Sequence, residues 1–209
     1  MSGIVVLISG RGSNLRSIVE AGLPVAAVIA NQADAAGLTF ARGRGVPTEV
    51  LEHRAFDSRE AFDEALAAVV DRHAPRLVAL AGFMRVLTAP FVVRYAGRLM
   101  NIHPSLLPAF PGLHTHTAAL AAGVKVHGAT VHFVTPELDR GPIVIQAAVP
   151  VLPGDDADRL AARVLAQEHV IYPRAIEWFL AGRLAVSGGT VTVTGRREAQ
   201  LVFAPAVAA

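Results

Sequence analysis

Short apolar runs of strand length alternate with helix-like stretches through the first half of this chain, and that alternation limits its possible folds more than any other feature. Residues 4–9, 25–30 and 77–81 are almost continuously hydrophobic instead of alternating apolar with polar, and 46–50 and 98–102 are further runs of strand length. Strands of that kind are buried on both faces, as in a parallel sheet covered by helices. Between them, 14–21, 34–42 and 58–73 read as helices. The expectation is an α/β protein with a mostly parallel sheet.

The best-marked helix is the third. Asp57-Ser58-Arg59-Glu60 reads as a capping box, Phe62, Leu66, Val69 and Val70 form one apolar face, and Pro75 follows the end. Arg59 is out of place there, because a cation in the first turn opposes the helix dipole. After residue 124 the pattern changes. Two strand-like runs, 124–134 and 143–149, are joined by a loop too irregular for a tight hairpin, which predicts an antiparallel pair. A long helix follows over 155–180, with Asp155, Asp156 and Asp158 at its start and Pro173 expected to bend it. Residues 184–194 read as a small hairpin around Ser187-Gly188-Gly189, and the tail after Arg197 as loose. With no repeat and no linker, the expectation is a single domain over 1–209 with a modified C-terminal half.

Composition excludes several classes of function. Lys plus Arg number 19 against 17 Asp plus Glu, a net charge of +2 that argues against a dedicated nucleic-acid binder. There is no cysteine, hence no thiolate nucleophile, disulfide or thiolate metal site. Lys125 is the only lysine, so a Schiff base has one candidate. The longest stretch free of Lys, Arg, Asp and Glu, 99–124, carries three histidines and three prolines and could not cross a membrane as a helix. The start, Met-Ser-Gly-Ile-Val-Val, has no charged leader, which predicts a cytoplasmic protein.

Four places could carry chemistry. Ser9-Gly10-Arg11-Gly12-Ser13-Asn14-Leu15 lies between a strand and a helix, where small residues and free amides suit an anion. It is not a dinucleotide fingerprint, because Leu15 replaces the third glycine and the second strand ends in Ala30-Asn31 rather than an acid. Two readings stay open for it: a site for one phosphate, or a turn capped by Ser13 or Asn14. Asn101-Ile102-His103-Pro104 closes a predicted strand, with Asn101 and His103 on one side, an amide and an imidazole suited to an oxyanion. Asp139 sits in a Gly/Pro-flanked loop, where it either bonds its own backbone or orients His103. Glu168 falls within the inward stripe Leu160, Val164, Ile171, Ala175; it needs an Arg partner or grips a ligand. His114 and His116, with His103, His127 and His132, match no common zinc spacing, and no metal is expected.

Taken together, Ile8-Ser9-Gly10-x-Gly12-Ser13-Asn14-Leu15, Leu80-Ala81-Gly82-Phe83-Met84-Arg85, Asn101-Ile102-His103-Pro104-Ser105-Leu106-Leu107-Pro108, Phe110-Pro111-Gly112-Leu113-His114-Thr115-His116 and Glu137-Leu138-Asp139-x-Gly141-Pro142 closely resemble the phosphoribosylglycinamide formyltransferase family over roughly residues 4–185. The resemblance implies a Rossmann-like fold, 10-formyltetrahydrofolate as formyl donor, glycinamide ribonucleotide as acceptor and a place in purine synthesis. It implies a nucleotide-binding half over about 1–100 and a folate and catalytic half over about 101–186. It further implies that Gly12, Ser13, Asn14 and Glu168 bind the ribonucleotide. Arg59, Met84, Arg85, Val86, Leu87 and Asn101, with Thr135, Pro136, Glu137, Leu138 and Asp139, would line the folate site, and Asn101, His103 and Asp139 would be catalytic. Arg11, Arg140 and Ala109 depart from the family pattern, and Arg140 is placed to pair with Asp139. Two related activities, a transfer-RNA formyltransferase and a formyltetrahydrofolate hydrolase, carry extra domains, and on a chain of 209 residues neither is expected. A non-catalytic nucleotide-binding module would not need Asn101, His103 and Asp139 together.

Overall fold

A computed structural model of the chain describes residues 3–195 and 198–204. They fall into two compact units. The first takes the described residues up to Asn101 together with Val134–Pro136; the second takes Ile102–Phe133 and the described residues from Glu137 onward.

In the first unit β1 (Ile4–Ile8), β2 (Val25–Ala30), β3 (Thr48–Val50), β4 (Leu77–Leu80) and the start of β5 (Leu99–His103) alternate with α1 (Ser13–Glu20), α2 (Ala36–Gly43), α3 (Arg59–Arg72) and α4 (Ala89–Arg94). All pairings are parallel, in the order β5-β4-β1-β2-β3. Every residue of β1 and β4 is buried, as their unbroken hydrophobicity requires. Val5, Leu7, Val78 and Leu80 pack with Phe62, Leu66 and Val70 of α3 and with Phe91 of α4. Order reverses around β1, which has β4 on one side and β2 on the other. The crevice where ligands enter such sheets therefore lies beyond the ends of β1 and β4.

One local expectation is corrected here, and one element is added. The capping box of α3 is only half formed: Ser58 Oγ accepts from Ala61 N at 3.0 Å, but Glu60 is one position short of where a reciprocal carboxylate must stand. The helix α4 was not foreseen, because its six residues are too few to show a period and carry Pro90 in the first turn.

The second unit contains the end of β5, α5 (Thr115–Ala121), β6 (Val126–Phe133), β7 (Ile143–Pro150), α6 (Ala157–Leu180), β8 (Leu184–Ser187), β9 (Thr190–Val193) and β10 (Leu201–Phe203). β6 and β7 are antiparallel, and α6 lies against both. Gly128 permits their approach, since a Cβ there would lie 1.9 Å from the Ala147 carbonyl oxygen. Asp156 caps α6 through Arg159 N at 2.8 Å, and the helix runs unbroken through Pro173. Asp155 lies ahead of the helix and pairs with Arg163 at 2.7 Å, a bond that holds its carboxyl down to about 2. β8 and β9 form the expected hairpin. The expectation of a loose tail after Arg197 fails at Leu201–Phe203, which joins β7 as a parallel strand, with Gln200 Nε2 donating to the Val144 carbonyl at 2.8 Å. Residues 205–209 of that tail lie outside the described residues. Among the described residues no helix is long and apolar enough to cross a membrane.

Candidate active site

The segment following β1 builds an open helix start. Gly12 is the N-cap of α1, at φ 73° and ψ 31°, and no side chain caps the helix. Ser13 and the buried Asn14 are thus its first two helical residues, not caps, and an ordinary turn capped by either is not what forms. Arg16 N donates to Gly12 O at 2.9 Å. The amides of residues 13–15 precede the first intrahelical bond, and a helix start of this kind suits an anion. Gly12 must be glycine: a Cβ would lie 2.7 Å from Gly37 Cα, and Gly37 N donates to Gly10 O at 3.1 Å.

The segment following β4 runs beside it. Ser9 N donates to Gly82 O at 3.2 Å, and Met84 N donates to Ser9 Oγ at 2.8 Å. Met84 and Val86 are exposed (67% and 54%) while Arg85 and Leu87 are half-buried. The Arg85 guanidinium carbon lies 4.7 Å from the centre of the Phe62 ring. Arg59, exposed, opens α3.

Asn101 and His103 stand two residues apart near the end of β5, on the same side of the strand. In the second unit His103 is buried between two acceptors. Its Nε2 donates to the Phe110 carbonyl at 3.1 Å, and its Nδ1 lies 3.6 Å from Asp139 Oδ2, within ion-pair range but longer than a hydrogen bond. That Oδ2 accepts instead from Gly112 N at 2.8 Å. Asp139 sits at φ 53°, a left-handed conformation that aspartate tolerates better than most residues. Its side chain is buried at 8% exposure, whereas the neighbouring Leu138 and Arg140 are exposed. Arg140 takes part in no ion pair among the described residues; the imidazoles of His103 and His132 face Asp139 instead.

His132 Nε2 is 3.9 Å from Asp139 Oδ1, and its Nδ1 donates to Phe133 O at 3.0 Å. Burial makes this imidazole harder to protonate, opposed by the Phe133 carbonyl and by Asp139. His116 and His127 meet edge to face at 5.3 Å, and the Phe110 ring meets His127 at 5.8 Å. Burial first, and then the charge His116 would carry, push His127 down to about 4, against the pull of the Pro104 carbonyl. No three His, Asp or Glu residues among the described ones are arranged to hold a metal ion.

The depressed His127 value makes a prediction about acid stability. The unfolded imidazole takes a proton near pH 6.5, the folded one only near 4, so the unfolded chain binds more protons between them. The stability contribution is complete above pH 6.5 and is lost as pH falls toward 4. His127→Phe keeps the ring contacts but removes this titration. Relative to wild type it should gain about 1–2 kcal/mol on going from pH 7.5 to pH 5, read from urea midpoints at the two pH values. An unchanged difference between the two chains would show that His127 titrates normally.

Comparison with known proteins now bears on these features. The formyl transferase family matches residues 2–176. Phosphoribosylglycinamide formyltransferase of Escherichia coli (strain K12) is 54% identical over 200 residues, covering 93% of this chain and 94% of that protein. The chain belongs to the phosphoribosylglycinamide formyltransferase family. A solved phosphoribosylglycinamide formyltransferase from Coxiella burnetii superposes with a TM-score of 0.89 at 46% identity, over 97% of this chain and 98% of that one. A glycinamide ribonucleotide transformylase from Symbiobacterium toebii gives a TM-score of 0.89 at 50% identity, over 92% and 94%. The chain is therefore a formyltransferase enzyme with the mostly parallel, helix-flanked α/β fold that its sequence predicted.

Seen as a phosphoribosylglycinamide formyltransferase, the chain distributes its expected site residues between the units. Gly12, Ser13, Asn14, Arg59, Met84, Arg85, Val86, Leu87, Asn101, Thr135 and Pro136 belong to the first; His103, Glu137, Leu138, Asp139 and Glu168 belong to the second. His103 and Asp139 are brought together, and Glu168 is buried in the α6 stripe as expected. Three partners of that pair were missed. The Phe110 carbonyl and the Gly112 amide act through the backbone, which residue types do not announce. His132 sits next to a register shift in β6, and period-2 counting cannot follow a strand across that.

Proposed function

We propose that this enzyme transfers the formyl group of 10-formyltetrahydrofolate to the amine of glycinamide ribonucleotide, a step of de novo purine synthesis toward IMP, in the cytoplasm and without a metal. In this reading the chain is one formyltransferase domain with a nucleotide-binding half over about 1–100 and a folate and catalytic half over about 101–186, a division to which Glu168 and Arg59, Met84, Arg85, Val86 and Leu87 are exceptions. The ribonucleotide phosphate and ribose take Gly12, Ser13 and Asn14 with the amides that follow Gly12, and Glu168 is assigned to a hydroxyl or amine of the same substrate, not to its phosphate. The folate lies along Arg59, Met84, Arg85, Val86 and Leu87 and along Thr135, Pro136, Glu137, Leu138 and Asp139.

The amine nitrogen attacks the formyl carbon and forms a tetrahedral species. Asn101 and His103 donate to its oxyanion, where charge develops. Collapse breaks the carbon–N10 bond, the proton lost by the amine passes to N10, and a formamide and tetrahydrofolate result. Asp139 holds the ring of His103 and, through water, assists that proton transfer. His103 Nε2 already donates to Phe110 O at 3.1 Å, so the formyl oxygen competes with this carbonyl for the imidazole hydrogen. Hydrogen bonds of catalytic groups commonly tighten only with the substrate in place.

The observation that supports this reading most is the placement of the buried His103 imidazole 3.6 Å from the Asp139 carboxylate, at the end of the strand that also carries Asn101. The test follows the folate absorbance change with and without glycinamide ribonucleotide. Turnover that requires the ribonucleotide is expected. Consumption of the donor without an acceptor would indicate hydrolysis, and no consumption at all would indicate a binding module; either overturns the proposal.

A further inference from the structure

The apolar face of α3 contains a residue that does not fit it. Asp63 is 2% exposed, between Phe62 at 0% and Leu66 at 1%. A carboxylate buried among such neighbours is costly unless its oxygens are satisfied. Only one is: Oδ2 accepts from Thr88 N at 2.6 Å, and Oδ1 has no hydrogen-bond partner among the described residues. A half-satisfied buried carboxylate is a poor stabilising device, so what it holds is the informative part. Thr88 closes the segment that begins at Met84 and is the N-cap of α4, where its own side chain makes no capping bond. At the other end, Met84 N is held by Ser9 Oγ at 2.8 Å, and between the two Arg85 stacks on Phe62 at 4.7 Å. Arg59 stands one turn before Asp63 on the same side of α3.

We propose that Asp63 is a positioning residue for the folate. Its carboxylate fastens residues 84–88 to the first turns of α3 and so fixes the spacing between Arg59 and Arg85-Val86-Leu87. The pinned segment keeps Met84 and Val86 exposed on a fixed backbone, which suits a flat ligand and would otherwise collapse onto the core. The inference rests on the folate reading of those residues given above. Asp63 itself touches no substrate.

Steady-state kinetics against each substrate test it. Asp63→Ala should raise KM for 10-formyltetrahydrofolate about tenfold, the worth of one hydrogen bond to a carboxylate, with KM for glycinamide ribonucleotide and kcat within about twofold. Asp63→Asn keeps an oxygen for the Thr88 amide and should return the folate KM to within about twofold of wild type. Thr88→Pro deletes the donor at a backbone φ of −70° that proline accepts, and should reproduce the Asp63→Ala effect even if that variant does not fold. Equal rises in both KM values, or no recovery in Asp63→Asn, would overturn the proposal. Leu87→Ala separates the two levels of the argument. If it raises the folate KM while Asp63→Ala and Thr88→Pro do not, the positioning role fails alone. If it leaves the folate KM unchanged, the folate reading of the segment fails, and the role of Asp63 falls with it.

Discussion

Asn101→Ala lowers the turnover of formyl transfer by about 10²–10³-fold while KM for both substrates stays within about twofold. The expectation follows from where charge appears. The formyl oxygen is a weak acceptor in the ground state and becomes an oxyanion only in the tetrahedral species, so a donor aimed at it acts mainly on kcat. In the proposed mechanism the imidazole is the second donor to the same atom, so His103→Ala is expected to produce a loss of similar size. The double variant is not worse by the product of the two, since donors to one oxyanion act as a unit. Single-turnover rates with both substrates saturating separate this chemistry from product release. If Asn101→Ala keeps wild-type turnover, Asn101 is a structural residue and the oxyanion is held elsewhere.

Gly12→Val produces the second large effect, about a 10²-fold loss in kcat/KM for glycinamide ribonucleotide, together with roughly 2–3 kcal/mol of stability. Two independent constraints meet at this residue. Its φ of 73° is a conformation that β-branched residues avoid, and a Cβ would lie 2.7 Å from the backbone of Gly37. Relief requires the loop to move away from α2, which turns the amides at the start of α1 out of line with a phosphate. Dephosphorylated ribonucleoside serves as the control. If these amides bind the phosphate, wild type and variant work on it at nearly the same poor rate. If the variant loses equally on both substrates, the loop is a structural turn and the phosphate binds elsewhere.

The strands were legible in the sequence because burial on both faces leaves runs such as Val25–Ala30 with no polar position, a signal that needs no tertiary information. The long helix Ala157–Leu180 was legible for a related reason: its stripe runs far enough to show a helical period, and Glu168 stands out against it. The short helices Ala89–Arg94 and Thr115–Ala121 lack that length and were not seen. Asp63 does not stand out within a helix whose apolar positions do, because its partner is a main-chain amide twenty-five positions away in sequence.

The sequence by itself determined the α/β class and the family, since hydrophobic periodicity and fixed local motifs are written in neighbouring residues. Tertiary structure decided the rest. It chose Gly12, not Ser13 or Asn14, as the start of α1, turned Asp139 toward His103 and His132 and left Arg140 exposed, and gave Asp63 an amide to hold. Each of those choices depends on which groups compete for the same hydrogen bond or the same few ångströms of space. That competition begins only when distant parts of the chain are packed together.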